Sequence, residues 1–164
     1  MKIVIDPFKK ESINAAIKQL QKYEKDFLRK EIEFVRRLKE LGVSVATTGF
    51  AMADYDGVND VLIAETQSGP RAAVIAYGQT VGFIEFGTGV TYPEYDASGL
   101  EFAPPPRGEY GKKQGKNPWG WYFSSLHTGG ASEHTYGNPP AEAMLTARDE
   151  MIARVTQIAR EVWR

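Results

Sequence analysis

The run from residue 10 to residue 41 constrains this chain more than any other feature. Ile13, Ala16, Ile17, Leu20, Tyr23, Phe27, Phe34, Val35, Leu38 and Leu41 recur at helical spacing and share one face. Lys18, Lys22, Arg29, Lys30, Arg36 and Lys39 lie mostly off that face, as on a helix apolar along one stripe. Asp6-Pro7 or Ser12 can open the helix, and Gly42 stands where a left-handed residue closes one. At about 1.5 Å per residue such a helix extends roughly 45 Å, more than a compact domain of this size needs. It therefore projects, bends near Tyr23–Phe27, or packs against neighbours.

The chain of 164 residues is read as a single domain with a long loop or insertion at about 91–138. The absence of cysteine removes disulfides, thiolate metal sites and cysteine nucleophiles together. The opening MKIVIDPFKKES is broken by Asp6 and Pro7 before it can form a signal-peptide core, and no later run approaches a membrane span. The expectation is a soluble protein made and retained inside a cell, with no membrane partner. Net charge is only -1, yet residues 1–50 hold eleven Lys/Arg against seven Asp/Glu, and residues 51–101 hold one against eight. That polarity suits either a basic segment for nucleic acid or complementary surfaces between like copies, beside the commoner case of a solvated helix and an acidic sheet edge.

Residues 43–53 (VSVATTGFAMA) carry strand formers but favour a short second helix, and 54–60 (DYDGVND) is a turn cluster. Residues 58–67, 72–77 and 80–86 read as an antiparallel meander, too closely spaced for parallel crossovers. Residues 91–138 hold eight of the sixteen glycines, five of the nine prolines and nine of the nineteen aromatics, so a functional or partner-ordered loop is expected rather than plain disorder. Asn138 before Pro139-Pro140 predicts the N-cap of a last helix with Met144, Ala147, Met151, Val155, Ile158 and Val162 on its apolar stripe. The predicted class is α+β: a long N-terminal helix, a small antiparallel sheet, a long Gly/aromatic loop, and a C-terminal helix packed on the sheet.

Several stretches have the look of chemistry. Gly87-Thr88-Gly89 resembles a phosphate loop, but Val90-Thr91-Tyr92-Pro93 follows where a helix N-terminus should stand, so the glycines are read as a strand exit. Asp54, Asp56, Asn59 and Asp60 have calcium-loop residue types with Gly57 out of register, which favours a turn. His127 and His134 lack a helix to fix zinc spacing, and Ser124 and Ser125 beside His127 form no nucleophile elbow. Glu85, on the expected strand, would face opposite Ile84 and Phe86, toward solvent or a cation on a neighbouring chain; no second catalytic group stands beside it. No cofactor, metal or enzymatic activity is expected. Lys112, Lys113 and Lys116 interleave with Tyr110, Trp119 and Trp121, a composition that suits a protein-contact anchor and, less well, a single-strand nucleic-acid platform over 108–123.

FIEFGTGV, PWGWYF and HTYGNPPAEAML, in this order between two helices, resemble the minor tail component or head–tail joining (tail-completion) family of long-tailed bacteriophages. Glu85-Phe86-Gly87-Thr88-Gly89 matches the family's Glu-[Phe/Tyr]-Gly-Thr-Gly stretch in full. Pro140-Ala141-Glu142-Ala143-Met144 matches its Pro-Ala-x-Pro-[Phe/Met] turn except that Ala143 replaces a proline. The resemblance spans about residue 10 to the end. It implies a structural virion protein of the neck, assembled in the bacterial host cytoplasm and contacting head connector or stopper and tail-tube proteins. It also implies a homo-oligomeric ring, hexameric if it follows the tail. Subunit contacts are then expected from Glu85, Phe86, Gly87, Thr88 and Gly89, from Trp119, Trp121 and Tyr122, and from Asn138, Pro140 and Met144.

Overall fold

The computed structural model describes residues 3–91, 109–110, 119–125 and 129–164. Helix α1 covers Lys10–Ala51, 42 residues and about 63 Å. The helix favoured for 43–53 is thus the continuation of α1, and Gly42 does not end it. The reason lies in packing. Gly42 is buried, and a Cβ there would stand 2.8 Å from Met151 Sδ and 3.3 Å from Val74 Cγ2. Seven residues on, a Cβ on Gly49 would meet Ala143 Cβ at 2.6 Å. Both glycines let another helix approach; neither turns the chain.

That helix is α3, Ala143–Val162. It runs antiparallel to α1, because Ala143 lies by Gly49, Met151 by Gly42, and Glu161 by Arg37 at 3.2 Å. Small residues (Ala46, Ala143, Ala147) fill the seam, and Trp163 closes it against Phe34 and Phe27 at centroid distances of 5.4 and 6.2 Å. The main partner of α3 is therefore α1, and the sheet meets the same seam at Val74. On the α1 surface, Arg36 and Arg37 hydrogen-bond Glu33 and hold its carboxyl at about 2, well below the usual glutamate range.

Strands β1 (Leu62–Ser68) and β2 (Arg71–Tyr77) form an antiparallel hairpin, registered from Leu62↔Tyr77 to Ser68↔Arg71. It lies on α1 through the Lys39–Glu65 ion pair at 3.1 Å and through the Gln67 amide, which donates to the Ile32 carbonyl at 3.1 Å. The expected third strand is not there. Val81–Phe86 is a short helix, α2. Six residues can satisfy either apolar period, and tertiary contacts decide between them. The Asp60 carboxylate accepts from Gln79 N at 2.6 Å, from Thr80 N at 2.9 Å and from the Thr80 hydroxyl, which stops the hairpin and starts a helical turn. Ile84 then drops fully buried into a core with Phe50 and Ala143, flanked by Tyr55, Val61 and Ile63.

Two further ladders follow, β3 (Val90–Thr91) with β4 (Glu109–Tyr110) and β5 (Trp121–Ser124) with β6 (Ser132–Thr135). Among the described residues the strands pair two by two in three separate ladders, and of the meander expected over 58–86 only the β1–β2 hairpin forms. Among the described residues, no helix is long and apolar enough to cross a membrane.

Two outcomes follow from this packing. Gly49→Ala should destabilise the fold by about 1–3 kcal/mol in urea denaturation, because the Ala143 backbone cannot yield, although alanine is the better helix former. The Thr80 hydroxyl, with the Thr80 and Gln79 amides, holds the Asp60 carboxyl below the ordinary aspartate value. Its stabilisation is complete above pH ~4 and lost as pH falls through the depressed value, so the stability gap between wild type and Asp60→Asn should shrink below pH ~4.

Candidate functional site

The two stretches that carry the sequence resemblance meet in space. Helix α2 delivers Glu85 to the N-terminus of α3. Glu85 is buried at 8% exposure, and its carboxylate accepts from Met144 N (3.1 Å to Oε1, 3.0 Å to Oε2) and from Leu145 N (3.1 Å). The N-cap residue of α3, Glu142, is left-handed at φ 49 and makes no side-chain cap. A carboxylate from 59 residues earlier therefore satisfies donors that every helix start leaves open, where the helix dipole favours negative charge. The strand reading, with Glu85 facing water or a neighbour's cation, is overturned: the helical turn aims its carboxylate at the Met144 and Leu145 amides, which hold it inside the chain.

The backbone closes the same junction. Ala141 N donates to Ile84 O at 2.8 Å and Glu142 N to Glu85 O at 3.1 Å, so the end of α2 and the approach to α3 satisfy one another. Thr88 and Asn138 exchange two backbone hydrogen bonds at 3.0 and 3.1 Å, and the Thr88 hydroxyl donates to Asn138 Oδ1 at 2.7 Å. Asn138 is thus a cross-link and not the N-cap. Pro139 and Pro140 each bias the preceding residue away from helical geometry, which delays α3 to Ala143.

Gly87 and Gly89 are glycines for two reasons at once. Their φ values are 69 and 70, and a Cβ on Gly87 would lie 2.7 Å from Asn138 O and from Pro140 N. On Gly89 it would lie 2.8 Å from Tyr136 O and 3.1 Å from the Trp121 ring. They follow a helix and not a strand, and they admit the second stretch against the first.

The aromatic residues divide by position. Trp121 is half-buried beside Gly89, and Met144 and Pro140 are half-buried at the start of α3. Trp119 is 85% exposed, Tyr122 74%, and Phe86 is exposed as well. Tyr122 meets the His134 ring edge-on at 5.0 Å, and His134 Nε2 lies 2.9 Å from Trp119 O, so β5 and β6 hold Trp119 and Tyr122 out together. His134 is a strand residue and not part of a loop. His127, Lys112, Lys113 and Lys116 lie outside the described residues.

Two links escaped sequence reading. Ser125 is fully buried and its hydroxyl donates to Asp56 Oδ2 at 2.7 Å, tying β5 to the tight turn in which Tyr55 and Val58 exchange two hydrogen bonds at 2.9 Å. Tyr55 stacks on Phe83 at 4.6 Å, carrying that turn onto α2. The Asp56-Gly57 pair, both at positive φ, was the available signal for the turn; nothing signalled its partners. Among the described residues, no three histidine or carboxylate side chains converge as a metal site would require.

Compared with protein-family models, curated proteins and solved structures, the chain matches none. The junction itself is directly testable. Glu85→Ala should lower unfolding free energy by about 2–3 kcal/mol in urea, since charged hydrogen bonds to buried donors are lost, and Glu85→Gln should fall between.

Proposed function

We propose that this protein is a structural assembly protein of a bacteriophage or prophage neck. It joins head to tail by forming a homo-oligomeric ring between the head connector or stopper and the tail-tube proteins, and it acts by contact, without catalysis. It assembles in the host cytoplasm and resides in the virion. One observation carries this reading: the Glu85–Gly89 and Pro140–Met144 stretches, on which the family resemblance rests, lie against each other and build one junction. Two such stretches that pack together are a shared structural unit rather than a chance pair of motifs.

Within that unit the roles separate. Glu85, Gly87, Thr88, Gly89 and Asn138 are engaged inside the chain and serve as its frame. Trp119, Tyr122 and Phe86 are more than half exposed beside that frame. Large aromatics dominate the energetics of protein interfaces, and these three are the residues that contact neighbouring subunits or tail proteins.

The double variant Trp119→Ala/Tyr122→Ala separates contact from stability. In the purified protein it should shift stability by no more than about 0.5 kcal/mol, the usual range for exposed positions. In the phage it should block joining of heads to tails. Normal yield of joined particles would remove these residues from the contact. A shift of single-stranded oligonucleotide at low salt that weakens steeply with salt, and that the same variant abolishes, would replace the protein-contact reading with nucleic-acid binding.

A further inference from the structure

The β1–β2 hairpin has an edge that the other described residues leave unpaired. Strand β2 pairs with β1 and with no other strand among them. The two strands are joined by Gly69-Pro70 alone, with Gly69 at φ 59, so Ser68↔Arg71 is the hydrogen-bonded pair that closes a tight turn. Bonded and non-bonded pairs alternate from there, and Ala73, Ile75 and Tyr77 also bond to β1. Ala72, Val74 and Ala76 therefore turn their N–H and C=O groups the other way. Among the described residues, no group donates to them or accepts from them on that side.

That edge is one wall of a groove of about 490 Å³, within the size range of ligand sites. Residues 70–74, consecutive at the start of β2, line it, and no described residue of β1 does, so the groove lies on the open side of β2. Met144, Ala147 and Met151, on one stripe of α3, form the opposite wall, and Val35 and Leu38 of α1 give an apolar floor. The charged side chains that line it among the described residues are all cations: Lys39, Arg71 and Arg148. Glu65 neutralises Lys39 at 3.1 Å, and one Asp149 oxygen accepts from two nitrogens of Arg148. Arg71 makes no ion pair or side-chain hydrogen bond among the described residues, so it carries the surplus positive charge.

We infer that this groove takes an extended, acidic segment of a partner polypeptide, which adds to β2 as a third strand. The open edge says what covers the groove. Its donors and acceptors recur every second residue, about 7 Å apart, as those of an extended backbone do. An acyl chain or a helix in the groove would leave them unpaired. Side chains of an added strand alternate between two faces. One set enters the apolar space between α1 and α3, on the face where Val74 meets α1 at Gly42. The other set lies on the Arg71 face, where a carboxylate meets the free guanidinium. The segment is thus alternately apolar and acidic. The inference rests on β2 and its groove, and not on placement in a phage neck.

Amide hydrogen exchange of the full chain, read by NMR with and without the blocked hexapeptide Glu-Val-Glu-Val-Glu-Val, tests it. In the free protein the amides of Ala72, Val74 and Ala76 should exchange at least about tenfold faster than those of Arg71, Ala73 and Ile75. The peptide should slow the first set and shift its resonances. Lysine for glutamate in the peptide, or Arg71→Glu in the protein, should weaken binding at least about tenfold. An antiparallel added strand donates to β2 from its inward valines, and a parallel one from its glutamates. N-methylation of one set should therefore abolish binding and N-methylation of the other should leave it. Ala72→Pro removes a donor from the open edge and none from the β1 ladder, and should also weaken binding at least about tenfold. Should that variant lose the hairpin, the N-methylated peptides on wild type carry the test. Equal protection of Ala72, Val74, Ala73 and Ile75 in the free protein would overturn the inference, since this chain would then cover its own edge. Protection that grows with protein concentration would do so too, by making the occupant a second copy. So would a parent peptide that fails to bind at about 1 mM, a lysine peptide that binds as tightly, or two N-methylated peptides that both bind like the parent.

Discussion

The carboxylate of Glu85 at the start of α3 is the contact on which the rest of the structure depends. Helix α3 has no side-chain cap of its own, and its N-cap residue sits in a left-handed conformation. Glu85 supplies the missing acceptors at the end of the helix where a negative charge is most favourable. Anchored there, α3 lays Ala143 and Ala147 along α1, brings Met151 to Gly42, and seats Trp163 on Phe34. The hairpin in turn rests on α1. One short helix of six residues thus sets the position of a helix of twenty.

Helix α1 works as two halves with different partners. Its C-terminal half is packed on one side by α3 and on another by the hairpin, and glycine at positions 42 and 49 lets both come close. Its N-terminal half keeps an equally apolar stripe in the open. A stripe of this kind has a favourable free energy of burial that the folded chain leaves unused.

Legibility in the sequence followed the length of the signal. The apolar face of α1 was readable because its period repeats over thirty residues; its end was not, because a glycine that closes a helix and a glycine that admits a neighbour are spelled alike. Residues 80–86 were misread for the opposite reason. Seven residues carry too few repeats to separate a period of two from one of 3.6, and the Asp60 hydrogen bonds that select the helix come from twenty residues away. Asn138 looked like an N-cap by type, yet its cross-strand partner Thr88 and the two prolines after it give it another role. At the candidate site, both stretches stood out as sequences, with glycine where positive φ is required. Their contact with each other did not, since it joins residues more than fifty positions apart.

By itself the sequence determined the α+β class, the two amphipathic helices, the turns, and the aromatic character of the region between residues 91 and 138. These depend on local periodicity and on the backbone freedom of single residues, both written in adjacent positions. Only the tertiary structure decided that Glu85 is a helix cap, that Gly87 and Gly89 are spacers between two stretches, and that Trp121 is held inward while Trp119 and Tyr122 face out. Each of those outcomes turns on where a distant donor, carbonyl or ring arrives, and packing sets that position.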